Sequence, residues 1–339
     1  MKFDFAIGNP PYQEQSDTNG RQPPVYNLFM DEAYKVANCV ELITPARFLF
    51  NAGQTPKSWN EKMLNDEHFK VLQYESDASK VFANTDIKGG VTITLRNQDK
   101  VFGKIGIFTQ NNSVELILNK VLPYCKKSIK DICIGAVPYR FTETLRIEHP
   151  EYVDLAGDSF DLRTNTLDNL GNKIFFEKKP DNSDYVQIVG LYNKKRTTMF
   201  VESKFIEGPE NFNKYKLLLS KANGSGKFGE ALSQPILVGS GIGHTQSFIS
   251  IGKFDTKQEA ENLEKYIKTK FARCLLSILR TTPDTTPYKW KYVPLLNFVS
   301  EVGIDWSKTV DEISHELYKK YNFSIDDINF IESHVKEMD

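Results

Sequence analysis

The sequence predicts an α/β fold: a sheet with interleaved helices over residues 1–110, then a mixed α/β region with a helical C-terminus over residues 111–339. Three observations predict it. Short apolar runs end abruptly at breaker residues, the segments between them carry helical spacing, and the pattern changes after Asp99.

Residues 3–7 form the first apolar run and stop at Gly8-Asn9-Pro10-Pro11, a strand closed by a loop. Val25, Leu28, Phe29, Ala33 and Val36 fall on one helical face. Residues 40–43 read as a second strand stopped by Thr44-Pro45, and residues 59–64 as a helix. Residues 69–74 and 91–95 are further strands, the last preceded by Gly89-Gly90. Strands alternating with helices predict a mostly parallel sheet. Beyond it, residues 113–122 are helical, and residues 173–176, 185–192 and 198–201 are short strands. Residues 223–226 and 239–243 are Gly-rich loops. Residues 258–279 carry the pattern of one long amphipathic helix, and residues 312–321 and 325–335 close the chain as a helical cap.

A chain of 339 residues suits two domains, each able to bury its own core. With 40% hydrophobic and 26% charged residues the composition is that of an ordinary soluble protein. No apolar run approaches the ~20 residues that span a bilayer, so no membrane role is expected. The start lacks a basic segment followed by an apolar one, which argues against a signal peptide. Cys39, Cys125, Cys133 and Cys274 show no CxxC spacing and the five histidines no HxxxH spacing, so neither a metal site nor a disulfide framework is expected, and a cytoplasmic setting is. Net charge is −1, yet unevenly spread: residues 173–227 carry +5, residues 265–291 carry +6 and residues 301–339 carry −6. The middle segments suit a polyanion, or are solvated faces that happen to cluster.

Asn9-Pro10-Pro11-Tyr12, placed directly after a strand, carries the chemistry. It resembles the (D/N)PP(Y/F/W) motif of enzymes that methylate exocyclic or amide nitrogens. An adenine amino group is a poor nucleophile because its lone pair is delocalised into the ring. A side-chain oxygen on Asn9 and the carbonyl of Pro10 can accept both amino hydrogens, which frees that lone pair for in-line attack. Pro10 and Pro11 stiffen the loop, and Tyr12 is suited to stack on a base flipped from the duplex. The plain alternative is a tight turn in which Asn9 caps and Tyr12 packs.

The resemblance extends along the chain: residues 3–13 (FDFAIGNPPYQ), 24–29 (PVYNLF), 42–48 (LITPARF), 86–91 (DIKGGV), 266–271 (YIKTKF), 292–295 (YVPL) and Trp306…Leu317-Tyr318…Tyr321. These blocks resemble the N6-adenine DNA methyltransferases of type II restriction–modification systems, especially those allied to enzymes with methylase and nuclease on one polypeptide. The resemblance is patchy over residues 143–253. It implies a partial class I methyltransferase (Rossmann-like) sheet and a target-recognition region. It implies S-adenosylmethionine as methyl donor, double-stranded DNA as substrate, and a cognate nuclease or a separate cofactor-binding methylase fragment as partner. In that family the cofactor site precedes the NPPY block, whereas eight residues precede Asn9 here. The expectation is therefore a chain whose cofactor half lies elsewhere: a fragment, a split-gene product or a decayed gene. The competing functions are a DNA-binding specificity subunit or pseudo-enzyme, and a restriction endonuclease component.

The resemblance makes Asn9, Pro10, Pro11 and Tyr12 the expected catalytic residues. Arg47, Lys88 and Gly89, at other strand ends, are expected at the substrate rim, against simple turns and packing. Lys194, Lys195 and Arg196 read as a phosphate-contacting hairpin or a solvated turn, and Lys268, Lys270 and Arg273 as a basic helix able to track a DNA backbone. Pro180-Asp181 with Glu202-Ser203-Lys204 matches the PD…ExK pattern of metal-dependent nucleases only loosely, and a charged hairpin is the better reading.

Overall fold

β1 (Phe3–Gly8) opens the computed structural model of the chain, which describes residues 2–14 and 22–338. Met1 and Asp339, the ends of the two expected domains, lie outside the described residues. Two compact units divide the chain: Met1–Glu115 with Ser225–Lys227, and Leu116–Gly224 with Phe228–Asp339.

In the first unit β1 is followed by α1 (Tyr26–Val36), β2 (Ala37–Pro45), α2 (Lys57–Asn65), β3 (Phe69–Glu75) and β4 (Val91–Asn97). α3 (Asn112–Val121) runs through the boundary. The sheet order is β1-β2-β4-β3, with β1 parallel to β2 and β4 antiparallel to both of its neighbours. The expectation of a mostly parallel sheet needs correcting at β4. β1, β2 and β3 run the same way because α1 and α2 cross over between them. The link from β3 to β4 contains only a 3-10 turn, Ala78–Lys80, and no crossover helix, so the chain reverses and β4 inserts between β2 and β3.

One face of this sheet is packed. Val40 and Leu42 of β2 meet Met30 of α1 and Met63 of α2, with Tyr26, Phe48, Trp59 and Phe69 in the same core. Phe48 packs edge-on against Trp59 with ring centroids 5.2 Å apart. On β1 the alternate residues Phe3, Phe5 and Ile7 stand 68%, 72% and 79% exposed, while Ala6 between them packs on the core.

The second unit begins with β5 (Cys133–Ile134), β6 (Arg140–Phe141), α4 (Glu143–Glu148), α5 (Val153–Ala156) and α6 (Thr166–Leu170). β7 (Tyr185–Tyr192), β8 (Lys195–Glu202), β9 (Ile206–Glu207), β10 (Tyr215–Ser220), β11 (Ile236–Val238), β12 (Ile242–His244) and β13 (Phe248–Phe254) follow. α7 (Lys257–Lys268), α8 (Lys270–Leu279), α9 (Val310–Lys320) and α10 (Ile325–His334) complete it. Its sheets are β11-β10-β13-β5, β12-β7-β8 and β6-β9.

Three expectations change here. Residues 173–176 form isolated bridges, Gly171 to Phe175 and Phe176 to Phe200, instead of a strand. Residues 239–243 are a loop only in part, because Ile242 and Gly243 enter β12. The single helix over 258–279 is two helices broken at Thr269, which takes extended ψ of 147°. Its hydroxyl donates to the Tyr266 carbonyl at 2.6 Å, closing α7, and accepts from the Ala272 N–H at 3.1 Å, capping α8. Apolar periodicity continues through Thr269, so the break is invisible to it.

In the blocks at residues 266–271, 292–295 and 306–321, Tyr266, Phe271, Tyr292, Val293, Trp306, Leu317, Tyr318 and Tyr321 are core. Tyr266 is buried among Phe271, Phe298 and Trp306, and its hydroxyl donates to the Pro294 carbonyl at 2.9 Å.

His244, at the end of β12, is wholly buried against Tyr139 with ring centroids 4.9 Å apart. Nδ1 bonds the Thr245 carbonyl at 3.0 Å, and Nε2 is buried without a partner among the described residues. Desolvation pushes its pKa down to about 4 from 6.5, with the Lys216 charge acting the same way. A base whose folded pKa is depressed contributes stability that is present above its unfolded pKa and lost as pH falls through the folded one. Stability should therefore drop by about 1.4 kcal/mol per pH unit between roughly 6.5 and 4. Urea titrations across that range should show His244→Gln lacking this component; equal slopes in both proteins refute the assignment.

Candidate active site

Gly8 ends β1 opposite Leu42 of β2, so Asn9-Pro10-Pro11-Tyr12 leaves the sheet at the carboxyl end of a parallel pair. Among the described residues no ladder continues along this loop, and the chain supplies another anchor. The Val25 N–H donates to the Tyr12 carbonyl at 3.2 Å and the Glu14 N–H to the Pro23 carbonyl at 3.1 Å, with an antiparallel bridge between Gln13 and Pro24. Asn9 and Pro11 are exposed, Pro10 and Tyr12 half-buried. The Tyr12 ring packs at the edge of the aromatic core, and burial raises its phenol pKa. Its hydroxyl is buried with no partner among the described residues.

β2 ends at Pro45 on the same rim and passes into the 3-10 turn Ala46–Phe50. Ala46, Phe48, Leu49 and Phe50 are buried, which leaves Arg47 as the side chain directed away from the core. The Ala46 N–H donates to the Gly90 carbonyl at 3.0 Å, tying the turn to the residues that start β4. Arg47 Nε donates to the Lys88 carbonyl, and Lys88 Nζ pairs with Asp86 at 2.7 Å. Gly89 and Gly90 both take positive φ, 87° and 78°. A Cβ on Gly89 would lie 2.9 Å from Arg47 Cγ, and one on Gly90 only 2.2 Å from the Glu75 carbonyl oxygen. These glycines are required by close approach as well as by conformation.

Tyr12, Tyr26, Pro45, Arg47, Asp86 and Ile87 meet around a cavity of about 150 Å³. Tyr26 is core: 4% exposed, with its phenol pushed up to about 12 by desolvation. Tyr12 and Arg47, predicted separately, thus share one cavity, and Lys88 and Gly89 support Arg47. Gly53 was not singled out by sequence. Its φ of 89° is the signal, since a Cβ there would press on Arg47 Cβ at 3.3 Å.

In the second unit Asn193 and Lys194 have φ of 50° and 62° and form the two-residue turn between β7 and β8, with Tyr192 paired to Lys195. Lys194, Lys195 and Arg196 are exposed at this tip. The basic helix needs correcting. Lys270 is 8% exposed and pairs with Glu332 at 2.6 Å and with Glu337, while Arg273 is 2% exposed and donates through Nε to the Lys268 carbonyl at 3.0 Å. Desolvation lowers the Arg273 pKa to about 10. Lys268 is tied to Glu264 at 3.1 Å. Lys270 and Arg273 are committed to the helical core because α8 is buried on every side, leaving no face to track a phosphate backbone. In the nuclease-like pattern, Lys204 is engaged by Glu202 at 3.0 Å and Glu148 at 2.7 Å. Among the described residues no three His, Cys, Asp or Glu side chains converge as a metal site. No helix among them is long and apolar enough to cross a membrane.

Residues 1–82, which include the NPPY loop and Arg47, match the family described as Eco57I restriction-modification methylase. The chain is also similar to an uncharacterized adenine-specific methylase of Mycoplasma pneumoniae (strain ATCC 29342 / M129 / Subtype 1), 30% identical over 99 residues. That match covers 27% of this chain and 22% of the relative, so the matched part is under a quarter of the relative's length. Among solved structures, a likeness to the type IIG restriction endonuclease BpuSI covers 91% of this chain and 45% of that one, at a TM-score of 0.27 and 10% identity. Both the matched family and the Mycoplasma pneumoniae relative are described as methylases.

Gly90→Ala should cost about 2–4 kcal/mol, because positive φ and a clash with backbone act together. Gly103→Ala, with φ of 90° and nothing within 4 Å of the added Cβ, should cost about 1 kcal/mol from strain alone. Chemical denaturation of both variants checks this; equal losses would remove the packing argument for the rim.

Proposed function

We propose that the chain is the catalytic and DNA-reading portion of a site-specific DNA adenine-N6 methyltransferase acting in the cytoplasm. The observation that carries the reading is Asn9-Pro10-Pro11-Tyr12 at the carboxyl end of a parallel strand pair, with Tyr12 in the wall of a cavity of about 150 Å³. Such ends are where Rossmann-like sheets receive ligands. The aromatic and apolar lining of the cavity suits a single nucleobase. The methyl donor is assigned to a separate cofactor-binding portion, and the open face of β1, with Phe3, Phe5 and Ile7 exposed, supports a covering partner there.

Tyr12 stacks on the extruded adenine. The Asn9 side-chain oxygen and the Pro10 carbonyl accept the two amino hydrogens, hold the nitrogen pyramidal and keep its lone pair aimed out of the ring plane. S-adenosylmethionine supplies an electrophilic methyl group on a sulfonium. Pro10 and Pro11 limit reorganisation of the acceptors, and the anchoring of Tyr12 to Val25 keeps the loop fixed. Lys194, Lys195 and Arg196 contact backbone phosphates of the duplex from the tip of the β7–β8 hairpin. A nuclease reading has less support, because Lys204 of its pattern is held in two ion pairs.

In cells carrying the gene, Asn9→Ala should lower N6-methyladenine at one sequence motif by roughly two to three orders of magnitude in rate, the usual effect of losing one preorganised acceptor. Single-molecule sequencing of genomic DNA reads this directly and reveals the motif; methylation persisting at the wild-type level defeats the assignment.

Replacing Lys194, Lys195 and Arg196 together by Ala should weaken binding of the purified chain to duplex DNA. The slope of log K against log salt should fall by about 0.9 for each phosphate that is no longer neutralised. Fluorescence anisotropy over a salt series tests it, and an unchanged slope makes the tip a solvated turn.

A further inference from the structure

We propose that Arg47 is a phosphate clamp: its terminal guanidinium nitrogens grip a phosphate attached to the nucleotide whose base enters the Tyr12 cavity. The proposal rests on the reading that this cavity takes an extruded nucleotide. It adds the group that recognises the nucleotide's charge.

The argument starts from how Arg47 is held. Its neighbours Ala46, Phe48, Leu49 and Phe50 are buried, so the turn itself is rigid and Arg47 alone is directed outward. Its aliphatic stem runs between two glycines. A Cβ on Gly53 would lie 3.3 Å from Arg47 Cβ, and one on Gly89 would lie 2.9 Å from Arg47 Cγ. Both glycines have positive φ, 89° and 87°, so the chain accepts two special conformations at the positions that make room for this stem. Nε is committed to the Lys88 carbonyl. Among the described residues, what remains for a ligand is the pair of terminal nitrogens, a planar fork.

A long side chain fixed by its stem and by one hydrogen bond has already lost its conformational entropy, which favours recognition of a ligand. The chemistry of that ligand follows from the wall. Among the described residues lining the cavity, Arg47 is the cation and Asp86 the anion, and Asp86 is already paired with Lys88 at 2.7 Å. Tyr12, Tyr26, Pro45 and Ile87 give the cavity an aromatic and apolar character that suits a flat base. A nucleotide that places its base there brings its phosphates to the rim. An arginine fork matches phosphate oxygens in bidentate fashion. Nε anchored on Lys88 also links that contact to the 86–90 segment, so phosphate binding and the conformation of this segment are coupled.

The test avoids any need for the recognition sequence. Calorimetric titration of the purified full chain compares adenosine with adenosine 3′,5′-bisphosphate, which carries a phosphate on each side of the sugar. The wild type should prefer the bisphosphate by about tenfold or more, the usual worth of a charge-assisted contact. Arg47→Met should lose that preference while still binding adenosine. Arg47→Lys should keep only part of it, because an ammonium lacks the fork. Gly89→Ala should lose it although Arg47 is present, because the added methyl displaces the stem. Adenosine binding with an equal preference in wild type and Arg47→Met overturns the clamp and leaves the nucleotide reading intact. Failure of both ligands to bind overturns both. If Arg47→Met instead loses affinity for S-adenosylmethionine and its bisphosphate preference is unchanged, the oxyanion is the cofactor carboxylate and the phosphate assignment fails.

Discussion

The parallel register of β1 on β2 is the constraint on which the candidate site depends. Phe3 faces Ala37 and Gly8 faces Leu42, so both strands run out at the same rim within a few residues of each other. A parallel pair cannot be joined by a tight turn, and α1 with the segment before it provides the crossover. That crossover also carries Val25, whose N–H holds the Tyr12 carbonyl, and Tyr26, which packs against Phe48 and Trp59 under the rim. The connection that makes the strands parallel thus also anchors the loop leaving the first of them.

In the first unit, much of this was legible in the sequence, because apolar runs there are short and each is ended by Gly, Pro or Asn. β1, α1, α2, β3 and β4 lie where breakers and periodicity put them, and β2 extends the expected residues 40–43 at both ends. Strand direction was not legible. Alternation implies parallel strands only when a helix intervenes, and the residues between β3 and β4 hold a 3-10 turn instead. Tyr12 and Arg47 stand out separately in the sequence, but nothing in their spacing says that they share a cavity; that follows from the register. Gly53 escaped notice because a lone glycine after Asn51-Ala52 looks like any turn until the Arg47 stem is seen beside it.

Charge was the least reliable guide in the second unit, for a physical reason. Composition counts cations without saying what they face. Residues 265–291 are strongly basic, yet Lys270, Arg273, Arg280 and Lys289 are buried and spent on carboxylates and carbonyls. Lys289 donates to the Leu279 carbonyl at the end of α8 and Arg280 to the Asn223 carbonyl, so these cations cap a helix terminus and a loop. The acidic surplus of residues 301–339 is partly their partner, since Glu332 and Glu337 both meet Lys270. Two segments of opposite charge are thus partly ion-paired with each other.

The β7–β8 hairpin shows the opposite disposition from a similar composition. Positive φ at Asn193 and Lys194 closes the turn in two residues, and the Asn193 N–H is held by Asp168 at 2.7 Å. A turn that tight cannot fold its side chains back into a core, so Lys194 and Lys195 stand out, and Arg196 rests over the Phe248 ring at 5.6 Å. The difference between the two basic segments is thus backbone geometry: a helix buried on every side must neutralise its cations internally, whereas a two-residue turn has nowhere to put them except solvent or a polyanion. The same logic applies at the rim, where glycines at Gly53 and Gly89 make room for one arginine stem. In each case what decides whether a basic residue is available to a ligand is the space its neighbours leave it, which the count of charges does not contain.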